Sequence, residues 1–241
     1  MPCSVSVRKG RFRRVLGFSI VWMGLVHLAP AQVVITGAMR NTMFNGQLAG
    51  LIDMDSICGP GAYGLGPLEY LRGELLVLDG HCYVSTATSD STMKVEERRD
   101  VSAPFFVHQR VKGWIPVELP DSVIDLAGID AFLTAAYGAL GIPFAFKLTG
   151  IFKEIDVHIV DVPPGTEVHG PDDAHRGNKR YHILGAEAEA IGFFSTRHKA
   201  VFTHHDTNIH MHAITADRGW MGHVEGISFD AHAVRLEVAV R

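Results

Sequence analysis

The chain has 241 residues, with 22 Lys and Arg against 26 Asp and Glu. Its first 31 residues carry five of the basic side chains (Arg8, Lys9, Arg11, Arg13 and Arg14) and no acid, so taking those five away leaves 17 against 26, a net of −9. That acidity excludes a polyanion such as nucleic acid, or an anionic membrane surface, as the natural partner, and the remaining length suits one large domain or two small ones.

In chain order, the basic stretch "VRKGRFRR" precedes the apolar run "VLGFSIVWMGLVHLA", whose last residue Ala29 stands with Ala31 at the spacing of a signal-peptidase site. The run is short for a membrane span, so residues 1–31 read as a secretory signal cut after Ala31, and the mature chain is expected to be exported. No cysteine stands at the cut, which argues against a lipoprotein. Downstream, "ELLVLDGHCYVST" reads as two strands joined by Asp79-Gly80, a dipeptide suited to a tight type I′ turn. "APFFVHQRV" reads as another strand. "PDSVIDLAGIDAFLTAAYGALGIP" reads as a helix capped by Asp121 or Ser122, with Val123, Leu126, Ile129 and Leu133 on one face and Gly141 and Pro143 at its end. Its apolar second half is broken by glycine and proline and is too short to span a membrane.

"FAFKLTGIFKEIDVHIV" alternates like a pair of strands. "DVPPGTEVHGPDDAHRGNKR" is rich in Pro, Gly and charge and reads as a loop and domain joint. "AEAEAIGFFST", "NIHMHAIT" and "HVEGISF" follow as further strands. The expectation is an α+β chain with mixed and antiparallel sheets and few helices, divided into an N-terminal sheet lobe over 32–162 and a C-terminal metal-binding lobe over 163–241. Cys58 and Cys82 are too few to make a disulfide scaffold, and the sequence leaves their pairing open.

The densest chemistry lies in "NIHMHAITADRGWMGH". On a strand over 209–214, His210 and His212 share a face. A turn near Asp217–Arg218 would set His223 beside His212 on the returning strand. Three converging imidazoles leave coordination positions open, the pattern of a catalytic zinc rather than a closed structural one. Glu225 falls on the face of His223. Among 14 histidines, chance neighbours also occur, and spacing alone leaves that reading standing beside the metal site. His204 and His205 read as surface histidines, and Trp220 as a packing residue.

"HMHAITADRGWMGH" resembles the metal motif of the α-acetolactate decarboxylases, in which His-x-His is followed by ten residues and Gly-His closes the motif. "GLGPLEYLRGELLVLDG" resembles that family's segment leading into a hairpin, with Glu74 at its catalytic glutamate. "APFFVHQRV", "FAFKLTGIFKEI" and "GFFST" resemble family strands in the same order, so the likeness covers most of the chain after residue 31. It implies a two-lobed fold and a zinc enzyme, possible as a homodimer. The implied reaction turns a 2-hydroxy-3-oxo acid, 2-acetolactate, into acetoin and carbon dioxide. His210, His212 and His223 would be the zinc ligands, with Glu74 and Lys147 in the site and Lys147 standing for a substrate-binding arginine. The departures are Lys147 itself, which lacks arginine's two-pronged grip; Pro67, where the family has threonine; and Arg72, where it has aspartate. The family also draws a second glutamate from a later segment, for which Glu225 and Glu237 are the candidates here. A non-catalytic relative that keeps metal and fold is the alternative reading. A cupin-like metal oxygenase ranks below it, because no glutamate follows His212 at the spacing cupins use.

Overall fold

A computed structural model describes Met1 and residues 32–239. The leader and its cut after Ala31 fall on residues 2–31, outside the described residues. The N-terminal part supplies β1 (Val34–Thr36), α1 (Met39–Asn45), β2 (Ile52–Asp53), β3 (Ala62–Pro67), β4 (Glu74–Leu78), β5 (His81–Ala87), β6 (Met93–Glu97), β7 (Ser102–Ala103) and β8 (Phe106–Arg110). Six of these strands form one sheet in the order β1-β8-β3-β4-β5-β6, and β2 pairs with β7 apart from it. The β4–β5 turn is the one the sequence predicts. Asp79 and Gly80 both have positive φ (50° and 86°), as a type I′ turn requires, and a Cβ on Gly80 would stand 2.4 Å from the Gly59 carbonyl. β4 is apolar at every position after Glu74 because both of its faces are covered. Leu75 and Val77 join one core cluster, and Leu76 and Leu78 join another.

The second sheet is built from β9 (Ile115–Val117), β10 (Phe144–Ile159), β11 (Lys179–Phe194), β12 (Ile209–Thr215) and β13 (Met221–Val238). β10 pairs with β11 along one edge and with β13 along the other, while β12 bridges β11 and β13, so four strands close into a ring. Every ladder between these named strands is antiparallel, and with few helices the fold is α+β as expected. The sheet runs without a break across residue 162, since β10 lies before it and its partners after it.

Two local expectations change. The "pair of strands" over 144–160 is one strand. Gly150 does not turn the chain; it marks the first of three register irregularities against β13. Its φ is 148°, and a Cβ there would meet the Ala233 carbonyl at 2.1 Å, so glycine lets a long strand bend rather than end. Helix α2 (Leu126–Tyr137) starts later than Asp121 or Ser122: Asp125 is the cap, its carboxylate accepting from the Gly128 N–H at 2.7 Å. Residues just before it are held extended, because Ile124 accepts from the Phe229 N–H and Asp125 bridges Ser228 on β13. Ile129 and Leu133 are fully buried, as the spacing predicts. A short α3 (Pro171–Ala174) interrupts the long loop before β11.

The ring packs its inner phenylalanines (Phe144, Phe146, Phe152, Phe194 and Phe229) into one core. A second core, with Leu65, Leu76, Val107, Ile191, Phe193 and Ile214, joins the two sheets face to face. The polar exceptions at that junction make the site. Cys58 and Cys82 are free thiols in side-chain hydrogen-bond contact, which pushes Cys82 up and Cys58 down.

Candidate metal centre

β12 carries His210 and His212 on the face turned to the N-terminal sheet. The turn after it is set by Asp217, whose carboxylate accepts from the Thr215 hydroxyl at 2.6 Å and the Gly219 N–H at 2.9 Å, with Arg218 left-handed at φ 59°. The return strand places His223 directly opposite His212, the hairpin foreseen from the spacing. One ligand-capable atom from each of His210, His212 and His223 lies within 4.8 Å of the others. His210 Nε2 and His223 Nδ1 are 3.0 Å apart.

The fit to a metal ion rests on two observations. His212 Nδ1 donates to the Leu75 carbonyl at 3.0 Å, which fixes the tautomer and leaves Nε2 as a lone-pair atom. That Nε2 is buried with no hydrogen-bond partner among the described residues, an orphaned acceptor aimed where a cation would sit. Burial also keeps all three rings neutral: desolvation lowers His210 and His223 well below the usual histidine range and brings His212 to about 3. Neutral, close-set nitrogens suit zinc and other late first-row metals.

β4 supplies the facing wall. Glu74 precedes Leu75 and is 3% exposed. Its Oε1 accepts from the Val160 N–H at 3.1 Å, which leaves Oε2 facing His212 Nε2 at 3.6 Å. Desolvation raises its pKa well above the usual carboxylate value, against the Val160 hydrogen bond. The turn before Glu74 runs through left-handed Tyr70 and Leu71 (φ 58° and 52°). It is stapled to the strand end after β10: Val162 N–H donates to Leu71, and Arg72 donates to the Val162 carbonyl and pairs with Asp161. Arg72 therefore holds backbone. Pro67 opposes Glu74 in the β3–β4 ladder and lines the cleft with Met39, Met43 and Phe105.

Three further histidines line the cleft, His158, His175 and His204. His158 on β10 is opposite His223, with ring centroids 4.6 Å apart. Its Nε2 is 4.0 Å from Glu74 Oε1, and its Nδ1 is 3.0 Å from Glu225 Oε1. His204 is not a surface residue: it is largely shielded, with its ring 5.0 Å from that of His223. His205 is exposed. The outer part of the cleft, about 270 Å³, is walled by His158, His175, Arg180, His204 and Glu225.

A family model described as alpha-acetolactate decarboxylase matches residues 36–241. The chain belongs to that family. It is 26% identical over 204 residues to the alpha-acetolactate decarboxylase of Brevibacillus brevis, a match that takes in 84% of this chain and 68% of the relative. In fold it is similar to the acetolactate decarboxylase of Bacillus subtilis subspecies spizizenii (TM-score 0.72, 18% identity, 86% of this chain and 85% of that one). It is likewise similar to a Staphylococcus aureus protein described as of unknown function and similar to alpha-acetolactate decarboxylase (TM-score 0.69, 18% identity, 86% and 84%).

Within this acetolactate decarboxylase fold, Lys147 is not among the described residues that line the cleft. Its ammonium lies 3.0 Å from Glu237 Oε2 and 5.0 Å from the Trp114 ring, and Glu237 is further tied to Arg235. The structure thus sets the lysine against one candidate glutamate, and neither is among the side chains that line the cleft. The imidazole that the same strand brings to the cleft is His158, and the glutamate that reaches it is Glu225. Lys147→Met is expected to leave KM for substrate unchanged and to destabilise the fold by about 1–3 kcal/mol, since it strips a partner from a buried carboxylate. Steady-state kinetics beside a thermal melt would check this, and a raised KM at wild-type stability would return Lys147 to the site.

The triad also predicts an acid weakness. Each ring has a folded pKa below its unfolded value of 6.5, so the unfolded chain binds more protons as pH falls past that point. The metal-free protein should be level in this respect above pH 6.5 and lose stability below it, towards about 3 for His212. Replacing His212 with Gln should flatten the decline of Tm between pH 6.5 and 4.5. Parallel slopes would show that the ring is not buried neutral.

Proposed function

We propose that this chain decarboxylates 2-acetolactate, 2-hydroxy-2-methyl-3-oxobutanoate, to acetoin and carbon dioxide, with zinc held by His210, His212 and His223. The observation that carries this reading is the orphaned, buried Nε2 of His212 facing Glu74 Oε2 across 3.6 Å. Zinc bound to the three imidazoles supplies a Lewis acid for the substrate's hydroxyl and keto oxygens. The Leu75 carbonyl keeps the His212 ring in its ligating tautomer. When the bond to the carboxyl carbon breaks, its electron pair stays with the remaining carbon skeleton and a proton must be added to that carbon. Glu74 Oε2 is the atom placed to deliver it, because Oε1 is occupied by the Val160 N–H while Oε2 faces His212 Nε2.

The test is acetoin formation from racemic acetolactate by purified protein of measured metal content. Near one zinc per chain with acetoin produced supports the reading; zinc-loaded protein that yields no acetoin overturns it. Export is proposed with it, on the basic and apolar runs before Ala31. Amino-terminal sequencing of secreted protein should begin at Gln32, and an intact leader on the mature protein would contradict that.

A further inference from the structure

We propose that His158 contacts the substrate directly, its Nε2 accepting the hydrogen bond of the 2-hydroxyl, with Glu225 and Arg180 as the positioning residues that hold the ring. The proposal rests on the cleft being a carboxy-lyase site for a 2-hydroxy-3-oxo acid, and it adds the group that reads the hydroxyl.

The geometry points to it in three steps. Glu225 is an acceptor: its carboxylate takes Arg180 Nε at 2.9 Å on Oε2 and the second Arg180 nitrogen at 3.3 Å on Oε1. His158 Nδ1, 3.0 Å from the same Oε1, is therefore the ring nitrogen that carries hydrogen. In the neutral ring Nε2 is then the acceptor. This is the logic by which a carboxylate behind a histidine fixes the tautomer it presents in front.

Second, that acceptor faces the reaction space. His158 is buried and lines both the outer cleft and the inner pocket that contains Glu74. Its Nε2 is 4.0 Å from Glu74 Oε1, beyond hydrogen-bond reach, so the two groups flank a gap instead of satisfying each other. Third, His158 is not one of the metal-ligand group, which comprises His210, His212 and His223. A fully braced imidazole set against that group, and outside it, has a substrate atom as its natural partner. In a 2-hydroxy-3-oxo acid ionised at its carboxyl, the hydroxyl is the one hydrogen-bond donor.

The experiment compares acetolactate with the matching β-keto acid in which hydrogen replaces the 2-hydroxyl, in the wild type and in His158→Phe. A binding arm measures calorimetric Kd values for the non-decarboxylating 2,3-dihydroxy-2-methyl acid and its counterpart without the 2-hydroxyl. The wild type should prefer the hydroxylated member of each pair. His158→Phe, with metal content unchanged, should lose about tenfold of that preference, the size of one neutral hydrogen bond, mainly through the hydroxylated compound. His158→Gln, which keeps an acceptor, should recover part of it, and Glu225→Gln should show a smaller loss with KM rising more than kcat falls. If His158→Phe does not fold, the other two variants decide. Wild-type preference in metal-replete His158 or Glu225 variants overturns the proposal while leaving the decarboxylase reading intact. Absence of turnover of either keto acid by the metal-replete wild type defeats the decarboxylase reading, and with it this proposal.

Discussion

Treatment with a strong chelator is expected to lower kcat/KM for acetolactate by at least about a thousandfold, and added zinc to restore it. Polarising the substrate's oxygens is worth several kcal/mol of barrier, at tenfold per 1.36 kcal/mol. The metal-free protein should still fold, because the core that joins the two sheets does not involve the triad. It should, however, melt lower. Zinc at a hundredfold excess over its Kd adds about 2.7 kcal/mol, or about 5–10 °C for a domain of this size. His212→Ala should match the chelated wild type in activity, and its Tm should no longer respond to chelator. The contrast is informative because His212 Nε2 has no hydrogen-bond partner among the described residues: its removal costs the metal-free fold little beyond packing and the Leu75 hydrogen bond. A His212→Ala protein that still binds zinc at one per chain, or chelated wild type with full activity, would sink the assignment.

What could be read from the sequence was what lies close along the chain. His210, His212 and His223 fall on one hairpin, where the alternation of a strand and the turn chemistry of Thr215–Trp220 fix the geometry locally. Asp79-Gly80 fixed its turn for the same reason. Glu74 emerged only through family likeness, because its burial depends on β4 being covered on both faces. His158 stayed hidden: a lone histidine in a strand becomes part of a cleft only once β10 pairs with β13 and sets it opposite His223. Lys147 shows the mirror case. A cation on that strand was visible, but not the register that places Glu237 against it. The start of α2 shifted because tertiary pairing of Asp125 with Ser228 outcompeted two good capping residues upstream.

Glu74→Gln should separate function from stability within one side chain. Activity is expected to fall by about a hundred to ten thousandfold, the usual contribution of a positioned proton donor, while zinc content stays near one per chain. The introduced amide oxygen can still accept from the Val160 N–H, so the local backbone survives. In the metal-free state the variant should be the more stable protein at alkaline pH. Glu74 has a folded pKa raised above its unfolded value of 4.5 by burial. Its favourable contribution is therefore complete below pH 4.5 and disappears as pH rises through the folded pKa. Above that, wild type must either bury an ionised carboxylate or distort to hydrate it, and an amide faces neither cost. The Tm advantage of the variant should grow from near zero at pH 4.5 to a few degrees at pH 8.5. Loading zinc should shrink it, since a divalent ion held by the three imidazoles would favour the carboxylate that burial penalises. Melting curves across pH, with and without zinc, read all of this. A pH-independent difference would mean that Glu74 is hydrated in solution, and full activity in the Glu74→Gln enzyme would move the proton donor elsewhere in the cleft.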